Sequence, residues 1–387
     1  MIIYFVLAGF IPLYGFLTHA NRNNFRKKQF VFVVFGIMTL ISALRASTIG
    51  IDLDLHYAKN YELISSVNWS DIPVFAALKQ YELGYCYFTK LLTYISSNVQ
   101  FYIIITSIII YGLHGYFFYK KSEDVILSSS LFMFFCLFYM YMNIVRQAVA
   151  VSILLLAYLI FSESKKKVHN YVVFVLLVIL ASVFHSSAIL CLVYLLFDKL
   201  KFTKIHMLLG IVVTALIYVG YSFVYNFVLS ILGGANSKYD MYVGSDKYGV
   251  GHINLQSIYY LIITLGAFLL GYYILVWKDK TSHKLFAKQE YKVKSNESFM
   301  LYMSFIAFAC RLLIFKMSII SRFTFYFIPF VLILYPYAIS KFKRRSNRII
   351  LNLTVYGVCL IYFVWITIAQ ANDLYGVVPY EFFWQVS

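Results

Sequence analysis

Residues 139–156 read YMYMNIVRQAVAVSILLL, and the reading of that stretch decides the fold. Arg146 stands there in a run that is otherwise almost wholly apolar. Placing an arginine in hydrocarbon costs about 2.5–3.5 kcal/mol even on a lenient insertion scale. A chain keeps such a residue where it faces a water-filled cavity or pairs with an anion. The bland alternative is an arginine that ends a helix and snorkels to the headgroups. Which holds depends on whether other charges reach the same face at the same depth.

Outward from Arg146 the chain stays apolar. Its 387 residues are 62% hydrophobic and 13% charged, with mean hydropathy +0.77. Apolar runs of about 15–27 residues recur and read as transmembrane helices. A backbone in lipid must satisfy its own hydrogen bonds, so such a chain is a helix bundle. The short alternating segments of a membrane barrel do not occur. The expected fold is an all-α polytopic membrane protein, residues 1–387 forming a single membrane domain. A content of 36 Tyr and 37 Phe fits interfacial belts and pocket lining.

The net charge is +17. In a soluble domain that would suggest nucleic acid; here cytoplasmic loops collecting Lys and Arg explain it, and no nucleic-acid partner is expected. Cysteines 86, 136, 191, 310 and 359 are scattered, without CxxC or metal spacing, so neither a disulfide framework nor zinc is expected. The first apolar run lacks a basic segment before it and is followed by Arg22, Arg26, Lys27 and Lys28. That describes a first span with its N-terminus outside rather than a cleaved leader.

Twelve spans are expected, at about 2–17, 30–44, 101–119, 125–141, 144–161, 170–184, 187–200, 205–231, 255–277, 298–314, 323–339 and 349–369. The apolar stretch 170–197 divides at His185-Ser-Ser187, because two short spans put Lys165–Lys167 and the later Lys199, Lys201 and Lys204 on one face. Six loops then hold 23 of the 33 basic residues on the inner side. Both termini and two long loops, 46–98 and 232–254, face outside. Within the first loop Val74, Leu78, Tyr81, Tyr85, Phe88, Leu92 and Ile95 recur at alternating spacings of four and three. They predict one amphipathic helix, lying on the outer leaflet or packed as a lid. No internal repeat appears, which argues against an inverted-repeat transporter.

Four arginines reach the outer ends of spans: Arg45, Arg146, Arg311 and Arg322, with Lys316 between the last two. Arginine keeps its charge when partly desolvated and grips phosphate bidentately. Their convergence suggests a site for a diphosphate or another polyanionic headgroup; each alone would be a lipid anchor or a carboxylate partner. Asp52 and Asp54 alternate with Ile51, Leu53 and Leu55, a spacing that serves a divalent metal, an acceptor hydroxyl or a partner arginine. Glu82, on the amphipathic segment, is a similar candidate. His185, with a side chain that titrates near neutrality, is a candidate base or phosphate donor, set against a structural role.

At these residues the chain resembles the EpsG-type branch of the Wzy polysaccharide polymerases. The resemblance rests on Gly50-Ile-Asp52, Tyr81-Glu-Leu-Gly-Tyr85, Asn143-Ile-Val-Arg146-Gln-Ala-Val-Ala150 and Phe184-His185-Ser-Ser187. Ser321-Arg322-Phe323 and Asn372-Asp-Leu374 with Pro379-Tyr380 continue it in the same order. It implies a GT-C-like bundle with an outward cavity, acting in a bacterial plasma membrane on undecaprenyl-diphosphate-linked oligosaccharides, for O-antigen or capsule. It implies no cofactor, and as partners the lipid bilayer, a chain-length regulator and a flippase. Arg146, Arg322, Arg311 and Arg45 would hold the diphosphate; His185, Asp52 or Glu82 would take the acceptor proton. Asp54 has no counterpart in the pattern. The rival readings are a lipid-linked oligosaccharide flippase and an O-antigen ligase.

Overall fold

The computed structural model describes residues 1–162, 168–198, 200–232, 254–278, 295–316 and 320–385. Among them the secondary structure is helical, and the β-type pairing is a single antiparallel bridge between Arg45 and Phe382. The chain forms two compact units, Met1–Ile189 with Arg345–Ser387 and Leu190–Arg344.

The first unit opens with α1 (Ile2–Leu17) and α2 (Asn24–Ala43). The first long loop follows: a π-helical turn (Leu53–Ala58), α3 (Lys59–Ser66), α4 (Ile72–Lys79) and α5 (Leu83–Thr93). Then come α6 (Val99–Lys121), α7 (Val125–Phe134), α8 (Leu137–Asn143), α9 (Val145–Phe161) and α10 (Val168–Phe184). Side chains fix several starts: Asn23 accepts the Arg26 N–H at 2.9 Å, Asn98 that of Gln100 at 2.8 Å, and Asp124 those of Ile126 and Leu127 at 3.0 Å. Each removes an orphan donor of a first turn.

The second unit holds α11 (Tyr194–Phe197), α12 (Lys204–Val219), α13 (Tyr221–Leu232), α14 (Leu255–Tyr272), α15 (Ser295–Leu313), α16 (Ser321–Thr324) and α17 (Ile328–Ser340). Helices α14, α15 and α17 pack together, with Phe268 edge-on to Phe305 at 5.1 Å and the Tyr335 hydroxyl donating to Ile263 O at 2.7 Å. The chain returns to the first unit with α18 (Arg345–Ala369) and α19 (Ala371–Tyr375).

Among the described residues three helices, Val99–Lys121, Leu255–Trp277 and Arg345–Ala369, are long and apolar enough to cross a bilayer. The α7–α8 pair passes the same test as one span bent by 57°. Six more apolar helices among the described residues are shorter. A helix of 16 or 17 residues, such as α1 or α9, reaches about 25 Å at 1.5 Å per residue, against a hydrocarbon thickness of about 30 Å. The chain is therefore a multi-pass helical membrane protein.

Four expectations change. The seventh expected span, 187–200, is a 3-10 turn (Ser186–Val193) followed by the short α11, and the eighth, 205–231, is parted at Gly220 into α12 and α13. The fourth expected span breaks at Cys136, which takes a left-handed φ of 54° between α7 and α8. The amphipathic helix of the first loop is two helices, parted at Gln80 with φ 53°. Its expected stripe is split as well: Tyr85 and Leu92 are buried, whereas Val74, Leu78 and Ile95 are exposed. The chain turns at Gln80 before the stripe completes. The loop 232–254 lies outside the described residues apart from Leu232 and Asn254, as do Lys165–Lys167 and Lys199.

The core of the first unit is α7, α8 and α9, which are buried along nearly their whole length. Helix α18 lies against α7, with the Tyr356 hydroxyl donating to Ser130 Oγ at 3.2 Å. The end of α2 meets α6 through Ser42 and Ser107, 2.8 Å apart. The segment after α19 then threads back through the start of the first loop. Gly50 N–H donates to Gly376 O at 2.9 Å, Ala46 N–H to Glu381 O at 3.0 Å, and Asn143 Nδ2 to Tyr375 O at 2.8 Å. Gly50 has φ 111°, and a Cβ there would stand 3.0 Å from Met142 O. This joint holds the loop's first residues against the α8–α9 break, three residues before Arg146.

Candidate functional site

Arg146 lies in the first turn of α9 and points into a cage built by the first loop. Its Nη1 pairs with Glu82 Oε2. Its Nε donates to the Tyr57 hydroxyl at 3.4 Å. The guanidinium lies 4.4 Å from the Tyr81 ring centroid, with Tyr85 at 5.5 Å and Tyr57 at 5.7 Å. Aromatic faces attract a desolvated cation. Side-chain exposure is 15% for Arg146 and 8% for Glu82, so the pair is largely withdrawn from water yet open on one side.

Glu82 joins two further segments to that cage. Its Oε1 accepts from the Ser186 N–H at 3.0 Å and the Ser186 hydroxyl at 3.2 Å. His185 Nδ1 stands 3.7 Å from the same oxygen. Three stretches distant in sequence thus meet at one carboxylate: Tyr81–Tyr85, Arg146 and His185–Ser186.

Gly84 permits the meeting. A Cβ on it would fall 1.9 Å from Val183 Cγ1, so α5 and the end of α10 approach as closely as a bare backbone allows. Phe88 and Phe184 seal the same contact edge-on at 5.1 Å. Burial also governs the phenols. It raises the Tyr81 and Tyr85 pKa values well above the ordinary tyrosine range, so both stay neutral, and Glu82 supplies the negative charge facing Arg146. Asn60 Nδ2 donates to the Tyr81 hydroxyl at 2.7 Å and fixes its ring.

The other sequence candidates fall in different places. Asp52 is half-buried at the joint, its N–H donating to Asn143 Oδ1 at 3.4 Å. Among the described residues neither Asp52 nor Asp54 joins a group of three or more potential metal ligands. Arg45 is 1% exposed. Its Nη1 donates to Ser42 O at 2.8 Å and to Ser42 Oγ, and its Nη2 to Met142 O at 3.2 Å. Those donors are turned to the protein rather than to an outer face. Arg311 and Arg322 belong to the second unit. Arg311 is buried there, 4.2 Å from the Tyr260 ring centroid and 5.7 Å from that of Phe325; Arg322 is half-buried in α16. Lys316 stands over Tyr218 at 4.8 Å and Tyr221 at 5.5 Å.

Two contributors escape a reading of the sequence. Tyr57 sits in the π-helical turn with no motif around it, and Ser186 looks like part of a polar break. The available signal is the cluster of tyrosines at 57, 81 and 85, because a buried arginine needs aromatic faces or acceptors.

A bundle of apolar helices defines a polytopic membrane protein, and at one helix end it brings a cation, a carboxylate and an imidazole together. The chain belongs to the EpsG family, whose family profile matches residues 28–382 and so takes in every residue of the cluster. That family is associated with glycosyltransferase-like polysaccharide polymerases. No curated protein and no solved structure matches the chain.

Proposed function

We propose that this protein is a polysaccharide polymerase that joins undecaprenyl-diphosphate-linked repeat units, of O-antigen or capsule, at the outer face of a bacterial plasma membrane. The observation that carries the reading is the meeting of Arg146, Glu82 and His185 at one partly open cage. In this reading the chain is one GT-C-like membrane domain of about twelve spans with both termini outside, and the first loop roofs the site. A chain-length regulator and a flippase are its partners.

The chemistry follows from the contacts. The anomeric carbon of the growing glycan loses its bond to the diphosphate oxygen, which leaves with the electron pair. The acceptor hydroxyl oxygen of a new lipid-linked unit bonds to that carbon, and its proton passes to His185. Glu82 and Tyr57 engage Nη1 and Nε of Arg146, leaving Nη2 for a phosphate oxygen. Charge-assisted bonds of this kind are the strong ones. Glu82 takes Arg146 on one oxygen and Ser186 on the other; a carboxylate committed to donors orients its neighbours better than it accepts a proton. Standing 3.7 Å from His185 Nδ1, it stabilises the imidazolium that forms when Nε2 takes the proton.

The test is Arg146→Ala, with membrane levels confirmed and surface glycan resolved on a gel. Loss of the long ladder with a single repeat unit still transferred is the expected result. A normal ladder removes Arg146 from the site. Loss of all surface glycan, the single unit included, favours a flippase or a ligase instead.

A further inference from the structure

Trp69 stacks on two tyrosines, Tyr87 of α5 and Tyr94 at its C-terminal cap. Tyr87 and Tyr94 are seven residues apart and so lie on one side of the helix. Their ring centroids lie 5.9 Å and 5.8 Å from that of Trp69, with planes tilted by only 18° and 19°. The Trp69 Nε1–H donates to the Tyr94 hydroxyl and fixes the indole.

Packing alone would bury such a stack. Trp69 nevertheless stays 41% exposed and Tyr94 66% exposed. An interfacial belt is the usual reason for exposed Trp and Tyr in a membrane protein. The neighbours of Trp69 argue against it there. Asn68, Ser70 and Asp71 are all exposed and polar, and they bond to one another rather than to the core. Of the exposed apolar side chains nearby, Val74 and Leu78 sit on α4, while Leu91 and Ile95 lie beside Tyr94. Trp69 therefore stands among water-facing amide, hydroxyl and carboxylate groups. A sugar ring is the chemical complement: its C–H face packs on an aromatic face, and its hydroxyl edge bonds to amides and carboxylates.

The stack is also continuous with the candidate site. Helix α5 begins next to Glu82 and is capped by Tyr94. At 1.5 Å per residue the stack lies about 8–18 Å along the axis from Glu82.

We propose that the Tyr87–Trp69–Tyr94 stack, with Asn68 and Asp71, is a glycan-binding subsite that holds sugar units of the growing chain beyond the reacting pair; this rests on the polymerase reading. By retaining the chain between additions, the subsite lengthens the product without touching the reacting atoms.

The test uses the full chain in nanodiscs, titrated with lipid-free surface polysaccharide of the producing cells, and the glycan ladder of cells carrying the same variants. Trp69→Ala and Tyr94→Ala should each weaken binding by about tenfold or more, the equivalent of about 1.4 kcal/mol, and shift the ladder to shorter lengths. Trp69→Phe, which keeps an aromatic ring between the tyrosines, should retain most binding. A normal ladder and unchanged binding in both alanine variants would overturn the subsite. If Arg146→Ala abolishes the ladder in the same experiment, the polymerase reading survives that failure. If Arg146→Ala leaves the ladder intact, the polymerase reading fails and the titration judges the subsite by itself. Tyr94, at the exposed end of the stack, keeps the test valid if Trp69→Ala does not fold.

Discussion

Arg45 and Arg146 look alike in the sequence, each a lone cation where an apolar helix meets a loop. Their surroundings differ in kind. Arg45 is enclosed and donates to Ser42 and Met142, two of its bonds going to carbonyl oxygens. Arg146 is paired with a glutamate and caged by three tyrosines, and one side remains open. A carbonyl is a fixed part of the backbone and cannot leave. A carboxylate on a loop helix can be exchanged for another anion. The comparison separates an arginine that fastens the fold from one built to trade partners.

The largest expected effect breaks the first half of that comparison. Arg45→Ala should destabilise the protein by about 3 kcal/mol or more, because it leaves a large void and strips Met142 O and Ser42 O of their donor. Thermal unfolding in detergent checks this. Arg146→Ala, measured alongside, should lower the midpoint much less. A reversed order would mean that the Arg146 cage, and not the joint between Arg45 and the segment after α19, holds the unit together.

Glu82→Gln addresses the second half. The amide can still accept from Ser186 but no longer neutralises Arg146. The loss should be about 2 kcal/mol, as for a hydrogen bond to a charged group, together with a weakened glycan ladder. A double-mutant cycle with Arg146→Met isolates the pair. A coupling near zero would sink the claim that the two act as one.

How much of this was legible beforehand follows the range of each interaction. Apolar period found α1 and α9 within a residue, because a hydrophobic run of helical length has few other fates in lipid. The same period ran the first loop's stripe straight through Gln80, since neither a glycine nor a proline announces that left-handed turn. It missed the bend at Cys136 for the same reason. The meeting of Glu82, Arg146 and His185 was legible as three short motifs but not as one cluster. The enclosure of Arg45 was not legible at all: it depends on residues near 380 returning to the end of α2, and nothing local in the sequence announces a contact across more than 300 positions.

Gly84 tests whether close approach assembles the cluster. Gly84→Ala drives a Cβ into Val183, a stiff β-branched side chain. The cost should be about 1–2 kcal/mol, the usual price of overpacking, and the ladder should shorten as Glu82 withdraws from Ser186. Val183→Ala in the same chain should restore both. Failure to restore would mean that Gly84 serves the backbone of α5 rather than its approach to α10.

The smallest effect is chemical. Cys86 follows Tyr85 in α5 and is buried; burial pushes its thiol up to about 12, outweighing the pull of the Arg146 charge. A pKa raised in the folded state means that the thiol stays protonated at pH 8, and thiolate accumulates only as pH nears 12. In a chain whose other four cysteines are replaced, maleimide at pH 8 should therefore label Cys86 only after denaturation. Glu82→Gln releases one tie between α5 and Arg146, so labelling of native protein should rise in that background. Equal protection in both chains would show that the cage holds without its carboxylate, and would move the task of positioning Arg146 from Glu82 to the three tyrosines.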